Sequence, residues 1–176
     1  TQPGCHSRLL SYRATRSRWL CWSLDRYLRP GSNHSYLYVG FTTAIVDLDG
    51  DGRRDLWGSL ADVIGSVANY LHRHGWELGA TVVQRAEVNG GDAGKLIKAG
   101  LKPSIPTAEL KANGVVTHPD LPADGKGALI ELEQKDGPEF WVGHNNFYVI
   151  TRYNRSPLYA MAVHDLAQAI ASEYGE

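Results

Sequence analysis

The stretch Asp47-Leu-Asp-Gly-Asp-Gly-Arg-Arg-Asp-Leu-Trp-Gly-Ser-Leu-Ala-Asp62 constrains this chain more than any other. Asp47, Asp49 and Asp51 alternate, and Gly52 follows. Carboxylates at positions 1, 3 and 5 with a glycine at position 6 open a calcium loop of the EF-hand type, in which a chain turning back on itself points several hard oxygens at one cation. The pattern is incomplete, because position 12, where a bidentate Glu belongs, is Gly58. The nearest later carboxylate is Asp62, so a metal site here needs a longer, modified loop. The alternative is a solvated Asp/Gly turn.

A chain of 176 residues with 43% apolar side chains is long enough for one domain with a core of its own. The net charge of −1 gives no bulk electrostatic case for nucleic acid or an anionic membrane. No run is long and apolar enough to span a bilayer, and no secretory signal is recognisable at Thr1. Charge is unevenly spread. Residues 1–46 carry six Arg and one Asp, a net +5, whereas residues 47–176 sum to −6. The first segment mixes Ser, Arg, Trp and Cys without a helical or strand period, apart from a possible strand at Tyr36–Val46. It reads as atypical sequence attached to a well-patterned domain, the alternative being a basic aromatic binding tail. Cys5 and Cys21 both lie in it and fit a disulfide, free thiols or neither.

Past Asp47 the patterning is regular. Ser59 with Asp62 three residues on predicts a capped helix. Leu60, Val63, Ile64, Val67 and Leu71 form its apolar stripe, with Tyr70 flanking, and Gly75 ends it. Residues 81–88 read as a strand, Asn89–Asp92 as a loop, Lys95–Ala99 as a short helix closed by Gly100, and Thr107–Asn113 as another. Leu129–Gln134 alternates apolar and acidic residues and returns through Asp136-Gly-Pro into Glu139–Val142, a β-hairpin with Glu131 and Glu133 on its solvated face. Two helices follow, Asn145–Tyr153 and Pro157–Tyr174, with Ser156 as the cap of the second and Ala160, Met161, Val163, Leu166, Ala167 and Ile170 as its apolar face. The expected class is α+β, mainly α.

Two groups of residues could handle a ligand. Asn69-Tyr70 ends the first helix, and Asn145 to Asn154 with Tyr159 forms an aromatic and amide-rich segment. Tyr rings stack on the apolar faces of sugars, while Asn amides and Tyr hydroxyls reach sugar hydroxyls. An Asn/Tyr-lined carbohydrate cleft is the functional reading, and ordinary packing is the reading for any one Tyr alone. The seven histidines show no metal-ligand spacing, and no nucleophile elbow, Walker loop or dinucleotide fingerprint is present.

Taken together, the calcium-type loop with Asp55-Leu-Trp57, Ile64-Gly-Ser-Val-Ala-Asn-Tyr70, His74-Gly-Trp76, Asn146-Phe-Tyr-Val-Ile-Thr-Arg-Tyr-Asn154 and Tyr159-Ala-Met-Ala-Val163 resemble the membrane-bound lytic murein transglycosylase B family, in order and over residues 47–172. The resemblance implies part of a lysozyme-like lytic domain with a modified EF-hand calcium loop and a small β-hairpin. It implies a lyase that cuts the β-1,4 bond between N-acetylmuramic acid and N-acetylglucosamine in peptidoglycan, leaving a 1,6-anhydro end. It further implies calcium held by Asp47, Asp49, Asp51, the backbone oxygen of Arg53, and Asp62, and a sugar cleft with Tyr70, Tyr153, Asn154 and Tyr159. The implied partner is a peptidoglycan glycan strand, met by a monomer in the periplasm or at the outer membrane. No nucleic acid is expected.

The departures are as informative. The family's acid/base Glu lies upstream of the calcium loop, yet residues 1–46 contain no Glu. Where the family has a Gly-Gln-x-Gln-Phe stretch, this chain reads Ser32 to Phe41, with Ser35 at the cleft Gln and Arg26 at an upstream family Ser. Residues 47–176 therefore read as the carboxyl-terminal part of such a domain, able to bind glycan as a calcium-stabilised module without its own acid/base group. A reading-frame change upstream of about Ala44 would produce this pattern, and the other frames of the encoding DNA would then contain the missing motif.

Overall fold

In the computed structural model of this chain, residues 44–135 and 137–174 are described. The expectations for Cys5, Cys21, Arg26, Ser35 and most of Tyr36–Val46 lie outside them, as does Asp136 of the hairpin turn. Ala44, Ile45 and Val46 form no strand.

Five helices and five strands follow one another: α1 Leu60–Arg73, β1 Val83–Val88, α2 Ala93–Lys98, β2 Ile105–Pro106, α3 Thr107–Ala112, β3 Val115–Thr117, β4 Lys126–Gln134, β5 Gly137–Gly143, α4 Asn145–Thr151 and α5 Pro157–Tyr174. The strands form one antiparallel sheet in the order β2-β4-β5-β1-β3. The predicted hairpin is β4–β5, in register from Ala128 opposite Gly143 to Gln134 opposite Gly137. It lies at the centre of a sheet larger than the sequence announces. β3 is too short to produce a period, and β2 is only two residues beside a proline.

The sheet is covered on both faces, which explains why Ala128, Leu129 and Ile130 are all buried where strict alternation would expose one of them. Leu129 and Val142 join Leu96, Ile105, Leu110, Val115 and Leu121 beneath α2 and α3. Ile130 and Leu132 join Phe147, Ile150, Ala160 and Met161 beneath α4 and α5. Only the exposed end of β4 alternates, with Glu131 and Glu133 out and Leu132 in, as expected. On α5 the expected apolar face is buried at Ala160 and Met161, but Leu166 and Ile170 remain about half exposed.

Helix α1 departs most from expectation. Its cap is as predicted: the Ser59 hydroxyl accepts from the Asp62 N–H at 3.2 Å, and Gly75, at a φ of +88°, ends the helix. Its burial is inverted. Leu60, Ile64 and Val67 of the apolar stripe are exposed, whereas Asp62, Gly65, Ser66 and Tyr70 are buried. The cause is the extended segment 44–48, which lies along the polar side and hydrogen-bonds to it. Asp62 Oδ1 accepts from the Leu48 N–H at 2.7 Å, Ser66 Oγ accepts from the Val46 N–H at 3.1 Å, and Asn69 Nδ2 donates to the Ala44 carbonyl at 2.8 Å. Positions 62, 66 and 69 are helical neighbours, so one polar stripe pairs three backbone groups of the 44–48 segment. Gly65 permits the close approach: a Cβ there would stand 3.0 Å from both Leu48 and Val46 side-chain atoms.

Candidate functional site

Two sites share α1, one at each end. At its amino end the acidic loop folds on its own carboxylates. Asp47 accepts from the Gly50 N–H at 2.7 Å and the Gly52 N–H at 2.9 Å, and Asp49 from the Asp51 N–H at 3.2 Å. Asp62 Oδ2 accepts from the Asp55 N–H at 2.8 Å, so this fully buried carboxylate bridges the two ends of the loop. The N–H donated by Asp55, with that of Leu48, holds the Asp62 carboxyl below the usual carboxylate range, although burial opposes the shift. Ser59 Oγ donates to Asp49 Oδ2 at 2.6 Å while capping the helix, tying the loop to α1.

Asp47, Asp49 and Asp62 each bring an oxygen to within 4.8 Å of the other two. Oxygens about 2.4 Å from one calcium ion are at most about 4.8 Å apart, so the three fit one hard cation. Asp51 does not join them; one of its oxygens accepts from the Arg53 N–H at 2.8 Å. Of the five metal residues expected from the sequence, the fold thus gathers three carboxylates, including the displaced Asp62. Asp55 closes the loop by accepting from the Trp57 and Gly58 N–H groups, each at 2.8 Å.

At the other end of α1 the aromatic residues converge. Tyr70 meets Tyr153 edge-on with centroids 5.9 Å apart, and Tyr153 meets Tyr159 at 5.9 Å and a 33° tilt. His74 lies 4.4 Å from Tyr70. Three residues spread over 90 positions therefore form one continuous row, His74 extending it. Burial, then the neighbouring Tyr153 and Tyr70, pushes the Tyr159 hydroxyl up to about 12, and burial also raises Tyr70. The Tyr70 and Tyr159 hydroxyls therefore stay protonated at physiological pH. Asn154 follows Tyr153, and its Oδ1 accepts from the Ser156 N–H at 3.1 Å. Its amide NH2 has no partner among the described residues.

Asn145 and Asn146, which open the amide-rich segment, fasten the fold. Asn146 is buried; its Oδ1 accepts from the Glu77 N–H at 2.9 Å, and its Nδ2 donates to the Glu77 and Ala80 carbonyls at 2.7 and 3.1 Å. Asn145 Nδ2 donates to the Gly75 carbonyl at 2.7 Å and to Glu77 Oε1 at 3.1 Å. The pair fastens the loop after α1 to the start of α4, which leads to Tyr153. No local sequence signal marks this clamp, because its partners are 66 to 70 residues away.

The profile of the Transglycosylase SLT domain family matches residues 37–168, three quarters of the chain. The chain belongs to this family. This transglycosylase domain is similar to membrane-bound lytic murein transglycosylase B of Escherichia coli K12, with 42% identity over 126 residues, which is 72% of the chain and 34% of that relative. It therefore spans about a third of the length of that curated relative. Among solved structures, the catenated lytic transglycosylase SltB1 of Pseudomonas aeruginosa superposes with a TM-score of 0.71 at 45% identity, covering 78% of this chain and 45% of that one. Escherichia coli Slt35, determined in complex with calcium, superposes with a TM-score of 0.66 at 36% identity, covering 78% and 43%. The fold is thus a partial lytic transglycosylase fold of lysozyme type, mixed in helix and strand.

Proposed function

We propose that this chain acts in peptidoglycan lytic transglycosylase chemistry as its glycan-binding, calcium-stabilised part, residues 47–176. The observation that carries the reading is the contiguous row Tyr70–Tyr153–Tyr159, with Asn154 following Tyr153 in the chain. Such a row offers stacking faces for pyranose rings and hydroxyls that can donate to sugar oxygens. Calcium at Asp47, Asp49 and Asp62, with Asp51 and the Arg53 carbonyl drawn in to complete the set, would offset the charge of these crowded carboxylates and fix the start of the helix that carries Tyr70.

The cleavage requires one carboxyl group. It protonates the glycosidic oxygen as the bond to muramic C1 breaks, then takes the proton from the muramic O6 hydroxyl as O6 bonds to C1, so no water is consumed. No residue of this sequence matches the family Glu for that role. The two substitutes that could be considered are engaged elsewhere: Glu77 accepts from Asn145, and Glu139 pairs with Arg85 at 3.3 Å on the sheet. The chain alone thus binds glycan as a monomer and leaves it intact. The setting is the periplasmic face of the wall, in keeping with a relative named membrane-bound. No helix of the described residues is long and apolar enough to cross a membrane.

Titration with a β-1,4 N-acetylglucosamine tetramer, followed by tyrosine fluorescence or amide NMR shifts, tests the reading. Saturable binding that Tyr153→Ala weakens at least tenfold is expected. Binding untouched by Tyr153→Ala, or none at all, would refute it.

A further inference from the structure

The residue that precedes Tyr153 of the aromatic row is a cation that nothing above has used. Arg152 caps the carboxyl end of α4, between buried Thr151 and Tyr153 of the row, and its side chain is exposed. It turns back one helical turn onto Tyr148. The guanidinium carbon lies 5.6 Å from the Tyr148 ring centroid, and Nη1 donates to the Tyr148 hydroxyl at 3.2 Å. One edge of the guanidinium is thereby fixed, and the remaining N–H groups are left for another acceptor. The side-chain ion pairs among the described residues are Arg85–Glu139 and Lys111–Asp120, and Arg152 is in neither. Its charge reaches Tyr70 and His74, opposing the upward shift of the Tyr70 hydroxyl and adding to the downward shift that burial gives His74.

An exposed but aromatically anchored guanidinium beside a sugar-stacking row is suited to a planar anion, and a carboxylate matches its fork. Wall glycan carries such a group where N-acetylglucosamine polymers carry none. Every muramic residue bears a lactyl ether, which ends in a carboxylate or continues into a peptide stem with carboxylates of its own. Building on the glycan-binding reading, we propose that Arg152 is an anion-recognition point of this cleft, pairing with a carboxylate of the muramic residue or its peptide stem and so distinguishing wall glycan from neutral β-1,4 N-acetylglucosamine oligomers.

The test compares three ligands on the full chain and on its Arg152→Gln and Arg152→Lys variants: the neutral N-acetylglucosamine tetramer, a muramic-containing tetrasaccharide with free lactyl carboxylates, and the same tetrasaccharide with peptide stems. Circular dichroism checks that the exposed substitutions leave the fold intact. Arg152→Gln is expected to weaken one or both muramic ligands about threefold to tenfold, between an exposed ion pair and a charge-assisted hydrogen bond. The tetramer should change less than about twofold, because it offers no charge to lose. Arg152→Lys keeps the charge without the fork and should fall between. Loss on the peptide-free ligand assigns the lactyl carboxylate, and loss on the stem-bearing ligand alone assigns the peptide. Equal loss on all three ligands would overturn the proposal, since Arg152 would then only support Tyr148 and Tyr153. No loss on any ligand would overturn it as well. A wild-type chain that binds none of the three would instead refute the glycan-binding reading on which the proposal rests.

Discussion

Replacing Asn146 with alanine removes three hydrogen bonds from a side chain that is 1% exposed. The Glu77 N–H loses its acceptor, and the Glu77 and Ala80 carbonyls lose their donor. A protein hydrogen bond contributes about 1 kcal/mol net, and more when its partner is left buried and unpaired. The loop itself is exposed at Glu77, Gly79 and Ala80, so water reaches the freed groups and limits that extra cost. The expected loss is therefore about 3 kcal/mol, or roughly 10 °C in melting temperature for a domain of this size. Urea denaturation followed by tryptophan fluorescence measures it directly, with Trp76 in the affected loop. Asn146→Asp is the sharper variant. It keeps the acceptor for the Glu77 N–H but sets a second oxygen against two carbonyls, so it should cost at least as much as alanine. A loss below about 0.5 kcal/mol in both variants, the range of an ordinary surface substitution, would refute the clamp.

Three further expectations follow from the same geometry. Gly65→Leu drives side-chain atoms into Leu48 and Val46, already 3.0 Å from a mere Cβ, and should cost about 1–3 kcal/mol while loosening the acidic loop, read by proteolysis near Asp51. Calcium at a hundredfold excess over its Kd should stabilise the chain by about 2.7 kcal/mol, read as a melting shift, and Asp49→Asn should abolish most of that increment. Burial alone lowers the pKa of His144, whose Nε2 lies 2.8 Å from Gln84 Oε1. Folding thus favours the neutral ring, so its contribution is complete above the unfolded value of about 6.5 and is lost as pH falls through the lower folded value. Urea midpoints should drop between pH 7 and 5, and His144→Gln should flatten that drop.

Local signals were legible wherever local chemistry decides the outcome. Ser59 caps α1, Glu131 and Glu133 flank buried Leu132, and Pro157 opens α5. The buried face of α1 was not legible, because it is chosen by the backbone of residues 44–48 rather than by apolarity. Amphipathic counting assumes that apolar residues turn inward, and here Asp62, Ser66 and Asn69 do so because they complete an extended strand's hydrogen bonds. In the candidate site, the acidic triplet and its displaced partner Asp62 were visible as spacing, but the gap between Asp51 and the other three carboxylates was not. The meeting of Tyr70 with Tyr153 and Tyr159 is a tertiary fact that only the family resemblance foretold. The clamp made by Asn145 and Asn146 is not legible, because nothing in a sequence distinguishes an amide facing a ligand from one fastening a distant loop.

We propose above that this chain holds glycan without the group that cuts it. Incubation of the purified chain with peptidoglycan sacculi in calcium tests both halves at once. The pelleted wall is assayed for bound protein, and the supernatant is read by mass spectrometry for 1,6-anhydromuropeptides. The account predicts protein retained on the sacculi and no anhydro products. Anhydro products would contradict it by showing that a carboxyl group in this chain performs the acid/base role, and failure to pellet with the wall would contradict the glycan-binding row itself.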